Sequence, residues 1–146
     1  MGMFSSINIS ASGLTAERTR MDVISKNIAN ANTTRTSSGK PYRRQMPLFK
    51  EREGESFSSY LSKESDKLFN KNGVKVSGII EDKTPFKKVY DPGHPDADQN
   101  GYVEMPNVDI VTEMVDMITA TRAYEANMTA INSAKSMAMK ALEIGR

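Results

Sequence analysis

The stretch that decides the fold is VDIVTEMVDMITATRAYEANMTAINSAKSMAMKAL, residues 108–142, which contains neither glycine nor proline. Its apolar residues recur at intervals of three and four, the spacing that places side chains on one face of an α-helix. The members of this apolar series are Ile110, Met114, Met117, Tyr124, Met128, Ile131, Ala138 and Leu142. The stretch therefore predicts a helix of about 35 residues, roughly 50 Å long.

A second amphipathic segment lies at the other end of the chain, over residues 4–31. Its apolar positions are Phe4, Ile7, Ala11, Leu14, Met21 and Ile28, and Arg18 and Ser25 interrupt an otherwise heptad-like seam. The Asn- and Thr-rich run at 30–34 ends this helix, because such side chains compete for backbone hydrogen bonds. We therefore predict a mainly α fold in which two long terminal helices pair as an antiparallel, coiled-coil-like hairpin.

The region between the helices predicts a small β-rich or irregular insert. Alternation of apolar and polar residues predicts a strand over Tyr42–Leu48, and Pro47 places that strand at a sheet edge. A clearer alternation predicts a strand over Val74–Glu81, and Phe86–Tyr90 is a third candidate.

Two segments of the insert read as connections. Residues 51–73 are charged and Ser-rich and predict a mobile loop, whereas 91–101 are rich in Pro, Gly, Asp and Asn and predict turns. The expected organisation is an N-terminal assembly helix over 1–34, the insert over 35–106 and a C-terminal assembly helix over 107–146.

The composition indicates that the chain does not bury all of its apolar surface alone. Hydrophobic residues make up 38% of its 146 residues, below the roughly 45–50% usual for globular chains on a count that includes Gly. The first half of the C-terminal helix is also apolar on more than one side, because Val111, Val115 and Ile118 flank the main series. One partner helix cannot cover that width, so at least two contact surfaces are expected.

Charge is unevenly distributed although the net charge is only +2. Residues 35–88 carry a net charge of +6 and residues 89–125 a net charge of −7. This pattern suits opposite-signed surfaces that meet between subunits, with two ordinary solvated faces as the alternative. It does not provide the basic stripe and reading element of a nucleic-acid-binding protein.

The chain offers little chemistry for catalysis. It contains no cysteine, its single histidine is His94, and it has no glycine-rich phosphate loop, so we predict no enzyme, no cofactor and no metal site. Asp96–Gly101 matches the first half of an EF-hand loop, but Asn107 stands where a bidentate Glu is needed. A calcium-regulated binding module using this turn is the alternative of a different class, and a DNA-binding helical protein is a third.

Two motifs carry a family resemblance. ISKNIANANT at 24–33 resembles the Asn-rich signature that closes the N-terminal helix of the bacterial flagellar rod, hook and hook-associated proteins. YDPGHP at 90–95 and GYVEMPNVD at 101–109 are similar to the basal-body rod members of that family, as are EM at 113–114, RAYEAN at 122–127 and KSM at 135–137. The resemblance covers both ends and the 74–109 segment.

The resemblance implies a structural subunit of the flagellar basal-body (proximal) rod. Such subunits assemble helically into a hollow shaft that transmits torque and conducts exported subunits. Their partners are copies of themselves, other rod proteins, the flagellar type III export apparatus, and membrane-ring and rod-base components. They lie in the cell envelope and are exported without a cleaved signal peptide, with no nucleic-acid partner and no direct membrane insertion. A distal-rod or hook-type subunit is the alternative within the family.

Two sets of residues are expected to carry this role. The helix–helix and subunit contacts are expected at Phe4, Ile7, Leu14, Met21, Ile28, Ile110, Met114, Met117, Tyr124, Met128, Ile131 and Leu142. The second set is structural: Asn27, Asn30, Asn32 and Thr33 are expected to tie the first helix to the insert. Asn107 and Asp109 are expected to cap the second helix.

Overall fold

The computed structural model describes residues 3–52 and 73–144, with side chains over 5–52 and 73–143. The order of elements is α1 (Met3–Ala29), β1 (Gln45–Glu51), β2 (Val74–Glu81), β3 (Lys87–Tyr90), β4 (Tyr102–Met105) and α2 (Ile110–Ile144). Two terminal helices with a small antiparallel β-rich middle are therefore confirmed. The expected mobile loop over 51–73 lies, apart from its ends, outside the described residues.

The two helices contact each other in opposite order along their lengths. Near the start of α1, a Cβ built on Gly13 would lie 3.1 Å from the amide of Asn127, well along α2. Near the end of α1, the Asn27 amide nitrogen donates to Glu113 Oε2 at 3.0 Å, in the first turn of α2.

Small residues line the contact between the helices. Ala120 is fully buried, and Ala16 and Ala134 are nearly so. On α2, buried or half-buried residues recur at intervals of four and three, a heptad-like spacing. The residues of this inner seam are Glu113, Met117, Ala120, Tyr124, Asn127, Ile131, Ala134 and Ala138.

The seam predicted for α1 is half-buried at Ile7, Leu14, Met21 and Ile28. Its predicted positions Ala11, Arg18 and Ser25 are exposed. The buried residues of α1 are Ala16, Val23, Ile24 and Asn27. The buried set lies off the predicted series, and it includes a polar residue, Asn27, whose amide is paired across the helices.

The described strands form two separate antiparallel ribbons. In the β1–β2 ribbon Gln45 pairs with Glu81 and Glu51 with Val74, with a register irregularity after Leu48. In the β3–β4 ribbon the pairs run from Lys87 with Met105 to Tyr90 with Tyr102. The prediction of a strand over Val74–Glu81 is confirmed, and β4 was not predicted.

The first strand begins three residues later than predicted. The residues expected to start it instead bond outside any sheet: the Tyr42 amide donates to Thr33 O at 3.0 Å, and the Arg44 amide to Asn107 Oδ1 at 2.8 Å. Ladder pairing therefore starts only at Gln45.

The β1–β2 ribbon lies along α1 and is attached near both of its ends. At one end the backbone of Gln45 bonds to Asn27. At the other, the Val74 amide donates to Ser12 Oγ at 3.0 Å. A Cβ on Gly73 would lie 2.2 Å from that same Oγ, so only glycine permits this close approach.

The buried alanine on α2 generates the first prediction. Replacing Ala120, which is 0% exposed, by leucine should force the helices apart and lower the free energy of unfolding by about 1–3 kcal/mol. Ala126→Leu is the matched control, because Ala126 is exposed on the same helix and the two residue types have similar helix propensity. Thermal unfolding followed by circular dichroism measures both, and equal midpoints would contradict the packing described here.

Candidate assembly site

A single buried amide joins the end of α1 to the rest of the molecule. Asn27 is 1% exposed. Its nitrogen donates to Gln45 O at 2.8 Å and to Glu113 Oε2 at 3.0 Å. Its oxygen accepts from the Tyr42 hydroxyl at 2.9 Å and from the Gln45 amide at 3.0 Å. The side chain thus makes all four bonds open to it, and joins α1, the start of β1 and α2.

The carboxylate of Glu113 is also 1% exposed, and Arg44 compensates its charge. Arg44 Nε donates to Glu113 Oε1 at 2.5 Å. The same guanidinium lies 3.4 Å from Asp116 Oδ2 and 3.8 Å from Asp82 Oδ2, and Arg20 lies 3.4 Å from Asp116 Oδ1. Removing one partner of such a buried pair is strongly destabilising, because it leaves an uncompensated buried charge.

The Tyr42 hydroxyl is held in its donor form. Burial is the main cause that raises the pKa of Tyr42, and the negative charges of Glu113 and Glu81 raise it further. The phenol is therefore protonated at neutral pH and donates to Asn27. We name Asn27, Tyr42, Arg44, Gln45 and Glu113 the junction.

The prediction that Asn107 caps the second helix is wrong. Helix α2 begins at Ile110, and Asn107 serves the insert instead. Its oxygen accepts from the Arg44 amide, and its nitrogen donates to Thr84 Oγ1 at 2.8 Å and to Asp82 O at 3.3 Å. Pro106 and Val108, on either side of Asn107, are buried. The helix begins two residues after Val108, at Ile110.

Asp109, the other residue expected to cap the second helix, lies immediately before α2. The Thr112 hydroxyl donates to Asp109 Oδ2 at 2.6 Å. This bond is the largest cause of the lowered pKa of Asp109. Burial opposes it, and the Thr112 amide, the positive charge of Lys87 and the Val111 amide each lower the pKa by less. The position at the positive end of the helix suits a carboxylate.

The remaining motif residues act more locally than predicted. Asn30 donates to Lys26 O at 2.9 Å and so bonds within the end of its own helix. Thr33 contacts the insert through its backbone carbonyl, which accepts from the Tyr42 amide, while its hydroxyl donates to Asn30. Asn32 is exposed. Of this motif, Asn27 alone makes the predicted side-chain bonds to the backbone of the insert within the described residues.

The sequence analysis missed four members of the junction, namely Tyr42, Arg44, Gln45 and Glu113. Glu113 lies off the apolar series predicted for α2, and only burial in the structure places it on the inner seam, where an unpaired charge would be costly. Its partners come from distant parts of the chain, and no spacing in the sequence connects them.

A second feature of α2 is an apolar face that the described residues do not cover. Five large side chains on its first two turns are between 42% and 69% exposed. They form what we name the outer stripe: Ile110, Val111, Met114, Val115 and Ile118. At 3.6 residues per turn, the centre of this stripe is rotated by about 130° from the inner seam.

The structure distributes the predicted contact residues among three environments. Ile110 and Met114 belong to the outer stripe, and Met128 and Leu142 are exposed further along α2. Seven others are half-buried: Ile7, Leu14, Met21, Ile28, Met117, Tyr124 and Ile131. The side chain of Phe4 lies outside the described residues. Which of these side chains contact neighbouring subunits stays a prediction.

The turn that resembles a calcium loop uses its carboxylates for other purposes. Asp96 accepts from Thr34 at 2.8 Å and lies 3.6 Å from Arg35. Asp98 accepts from the amides of Asn100 and Tyr102. Across residues 3–52 and 73–144, no three His, Asp or Glu side chains are grouped so that they could hold a metal ion. Neither described helix combines the length and hydropathy needed to cross a membrane.

Two protein-family descriptions match the two ends of the chain, and individual proteins match it over its full length. Residues 7–35 match the family described as Flagella basal body rod protein, and residues 99–144 that described as Flagellar basal body rod FlgEFG protein C-terminal. The Flagellar basal-body rod protein FlgC of Bacillus subtilis is 54% identical, with 100% of both chains covered. That of Borreliella burgdorferi is 53% identical over 99% of this chain and 98% of its own. That of Escherichia coli O6:H1 is 38% identical over the whole of both chains.

The chain belongs to the FlgC family of flagellar basal-body rod proteins. The resemblance stated from the sequence motifs is thereby confirmed. The two regions matched by the family descriptions meet at the junction, because Asn27 lies in the first and Glu113 in the second. Arg44 lies between the two regions and compensates the charge at the point where they meet.

The buried amide of this FlgC-family chain generates the second prediction. Asn27→Asp removes two donated bonds and places a carboxylate beside that of Glu113, so it should lower the free energy of unfolding by at least about 3 kcal/mol at neutral pH. Part of the loss should be regained as the pH falls, because like charge raises the pKa of one carboxyl and protonation then relieves the repulsion.

Asn32→Asp is the matched control, since it makes the same change at an exposed residue of the same motif. It should alter stability by less than about 0.5 kcal/mol. Denaturant unfolding at two pH values measures both variants. Equal stabilities would show that the junction does not hold the helices together.

The residue preceding α2 generates the third prediction. Thr112→Val removes the hydroxyl bond that most lowers the pKa of Asp109, so this pKa should rise towards its ordinary value. The stability that a lowered carboxyl pKa contributes is present at neutral pH and is lost as the pH falls through the folded pKa. The variant should therefore be less stable than the unaltered chain at neutral pH, and the difference should vanish in acid. Carboxyl titration by NMR measures the pKa, with Thr119→Val, whose hydroxyl donates to a backbone carbonyl, as the control that should leave it unchanged.

Proposed function

We propose that this chain is a structural subunit of the proximal flagellar rod, and that copies assemble helically, with other rod proteins, into a hollow shaft. The shaft would transmit torque and conduct exported subunits, and the role is structural rather than catalytic. The observation that carries the proposal is the outer stripe, which lies on a helix matched to the rod family. Full-length identity with named rod proteins supports the same role.

The energetics of the outer stripe favour burial by a neighbour. Covering a Val, Ile or Met side chain completely stabilises by roughly 1.5–3 kcal/mol. Five such residues that are about half exposed would contribute on the order of 5 kcal/mol per copy. An exposed apolar surface of this kind marks an interaction site in soluble proteins.

We further propose that residues 1–34 and 107–146 form one assembly domain and that 35–106 form the insert. The two helices would pair as an antiparallel, coiled-coil-like hairpin. The opposite order of their contacts and the heptad-like inner seam support this arrangement. The inner seam would hold the hairpin together, and the outer stripe would contact the next subunit, together with Met128 and Leu142.

The route and location follow from the same proposal. The chain would leave the cell through the flagellar type III export apparatus without a cleaved signal peptide. It would then be placed in the cell envelope between the membrane-ring and rod-base components and the rest of the rod. The expected partners are copies of itself, other rod proteins and these basal components.

The outer stripe generates the fourth prediction. Val115 is 55% exposed, so Val115→Asp should leave the fold of the free chain intact while placing a charge in the subunit interface. In a motile strain whose own copy is deleted, the unaltered chain should restore swimming and Val115→Asp should not. The altered chain should still be exported but be missing from isolated basal bodies.

Thr119→Asp is the control for this experiment. It adds the same charge one turn further along α2, at an exposed position outside the outer stripe. Swimming restored to the same extent by both variants would remove the stripe from the assembly interface. Failure of the unaltered chain to enter basal bodies would contradict the rod function itself.

A further inference from the structure

Two lysines face each other on the β1–β2 ribbon. Lys50 and Lys75 are directly opposite in the register, and both are exposed. Like charges at directly opposite positions of a ribbon are destabilising. Among the ion pairs formed within residues 3–52 and 73–144, neither lysine has a carboxylate partner. This lysine pair is therefore an unfavourable local arrangement that a partner outside the described fold could relieve.

The β3–β4 ribbon carries the complementary chemistry. Tyr90 and Tyr102 are also directly opposite, are 65% and 44% exposed, and meet edge to face with ring centroids 5.2 Å apart. The carboxylates of Asp91 and Asp98 accept from backbone amides of the adjoining turn, and neither has an ion-pair partner within residues 3–52 and 73–144. Aromatic faces flanked by carboxylates attract ammonium groups. We name Tyr90, Tyr102, Asp91 and Asp98 the tyrosine surface.

The sequence placed an excess of positive charge before this region and an excess of negative charge within it. Part of that charge is paired inside the chain, through Arg35 with Asp96, Arg44 with Glu113 and Lys88 with Glu104. Within residues 3–52 and 73–144, Lys50, Lys75, Asp91 and Asp98 take no part in this pairing, and neither do Glu51 and Glu81 on the β1–β2 ribbon.

The two surfaces lie far apart along α1, one beside its first half and the other beyond its C-terminal end. The lysine pair is one residue along the ribbon from Val74, which is bonded to Ser12. Tyr102 and Asp98 line a cleft with Thr34, beyond the end of α1. Ser12 and Asn27 alone are separated by about 22 Å along the helix. The two surfaces cannot meet within one chain, and a contact between different patches of two copies repeats head to tail.

We infer that the lysine pair of one copy docks on the tyrosine surface of the next copy. The inference rests on the proposed function and names one contact that would join successive subunits of this chain. The occupant is a second copy because this chain itself carries both complementary surfaces, at positions that a head-to-tail contact would bring together. The contact lies in the insert and adds to that of the outer stripe.

The absence of cysteine from the chain permits a clean cross-linking test. Lys75→Cys and Tyr102→Cys are combined in one chain that replaces the chromosomal copy, and isolated basal bodies are oxidised with copper phenanthroline. A ladder of dimers and higher multiples is expected on non-reducing gels. Neither single variant should give it. Lys83→Cys combined with Tyr102→Cys is the matched control, because Lys83 is an exposed lysine outside the ribbon pair, and it should give no ladder.

Basal bodies that contain the double variant but yield no ladder overturn the inference and leave the rod function standing. If the double variant instead forms a disulfide with a different protein, the inference that a second copy of this chain occupies the surface is overturned. An unaltered chain that is missing from basal bodies contradicts the proposed function instead.

If the double cysteine variant fails to enter basal bodies, the docking contact is tested by the swimming of strains that carry charge variants. Lys50→Glu with Lys75→Glu should abolish swimming. Lys40→Glu with Lys83→Glu, which makes an equal charge change at exposed lysines, should preserve it. Equal swimming of the two variants overturns the docking contact.

Discussion

The buried carboxylate of Glu113 is the constraint on which the rest of the structure depends. A charge removed from water must be paired and hydrogen-bonded, or the fold loses several kcal/mol. Arg44 and Asn27 meet that requirement, and they come from the start of β1 and the last turn of α1. Satisfying one carboxylate therefore joins the last turn of α1, the residue before β1 and the first turn of α2.

The alanine-rich seam gives this polar junction a second role. Small side chains allow the helices to approach closely, but they interlock weakly and would tolerate a shift of one helix along the other. A shift would leave the Asn27 amide and the Glu113 carboxylate buried without partners. Buried polar groups can fix register in helix pairs at some expense in stability, and the position of these two residues at one end of the seam suits that role.

The sequence predicted some parts of this molecule well and others badly, for identifiable reasons. Helix α2 was predictable because a long stretch without glycine or proline carries a helical period. The most buried face of α1 was not, because Ala16, Val23 and Ile24 lie off the predicted series and the burial of the polar Asn27 depends on partners from distant parts of the chain. Asn107 is a residue type that often caps helices, but its side chain instead accepts from the Arg44 amide and donates to the Thr84 hydroxyl. The charge asymmetry was visible, whereas its partial neutralisation within the chain depended on contacts between distant residues.

The two attachments of the β1–β2 ribbon to α1 differ in kind, and this gives the ribbon the mechanics of a lever. Its Gln45 end is fixed by hydrogen bonds to a buried side chain and adjoins ion pairs to α2, so it acts as a fulcrum. Within the described residues, its Val74 end is bonded to a serine hydroxyl beside a glycine. The charged and buried bonds at the Gln45 end are the stronger attachment, so a load on the ribbon would meet most resistance at the junction. The stiffness of the insert is therefore set at its base, where the two helices are also joined.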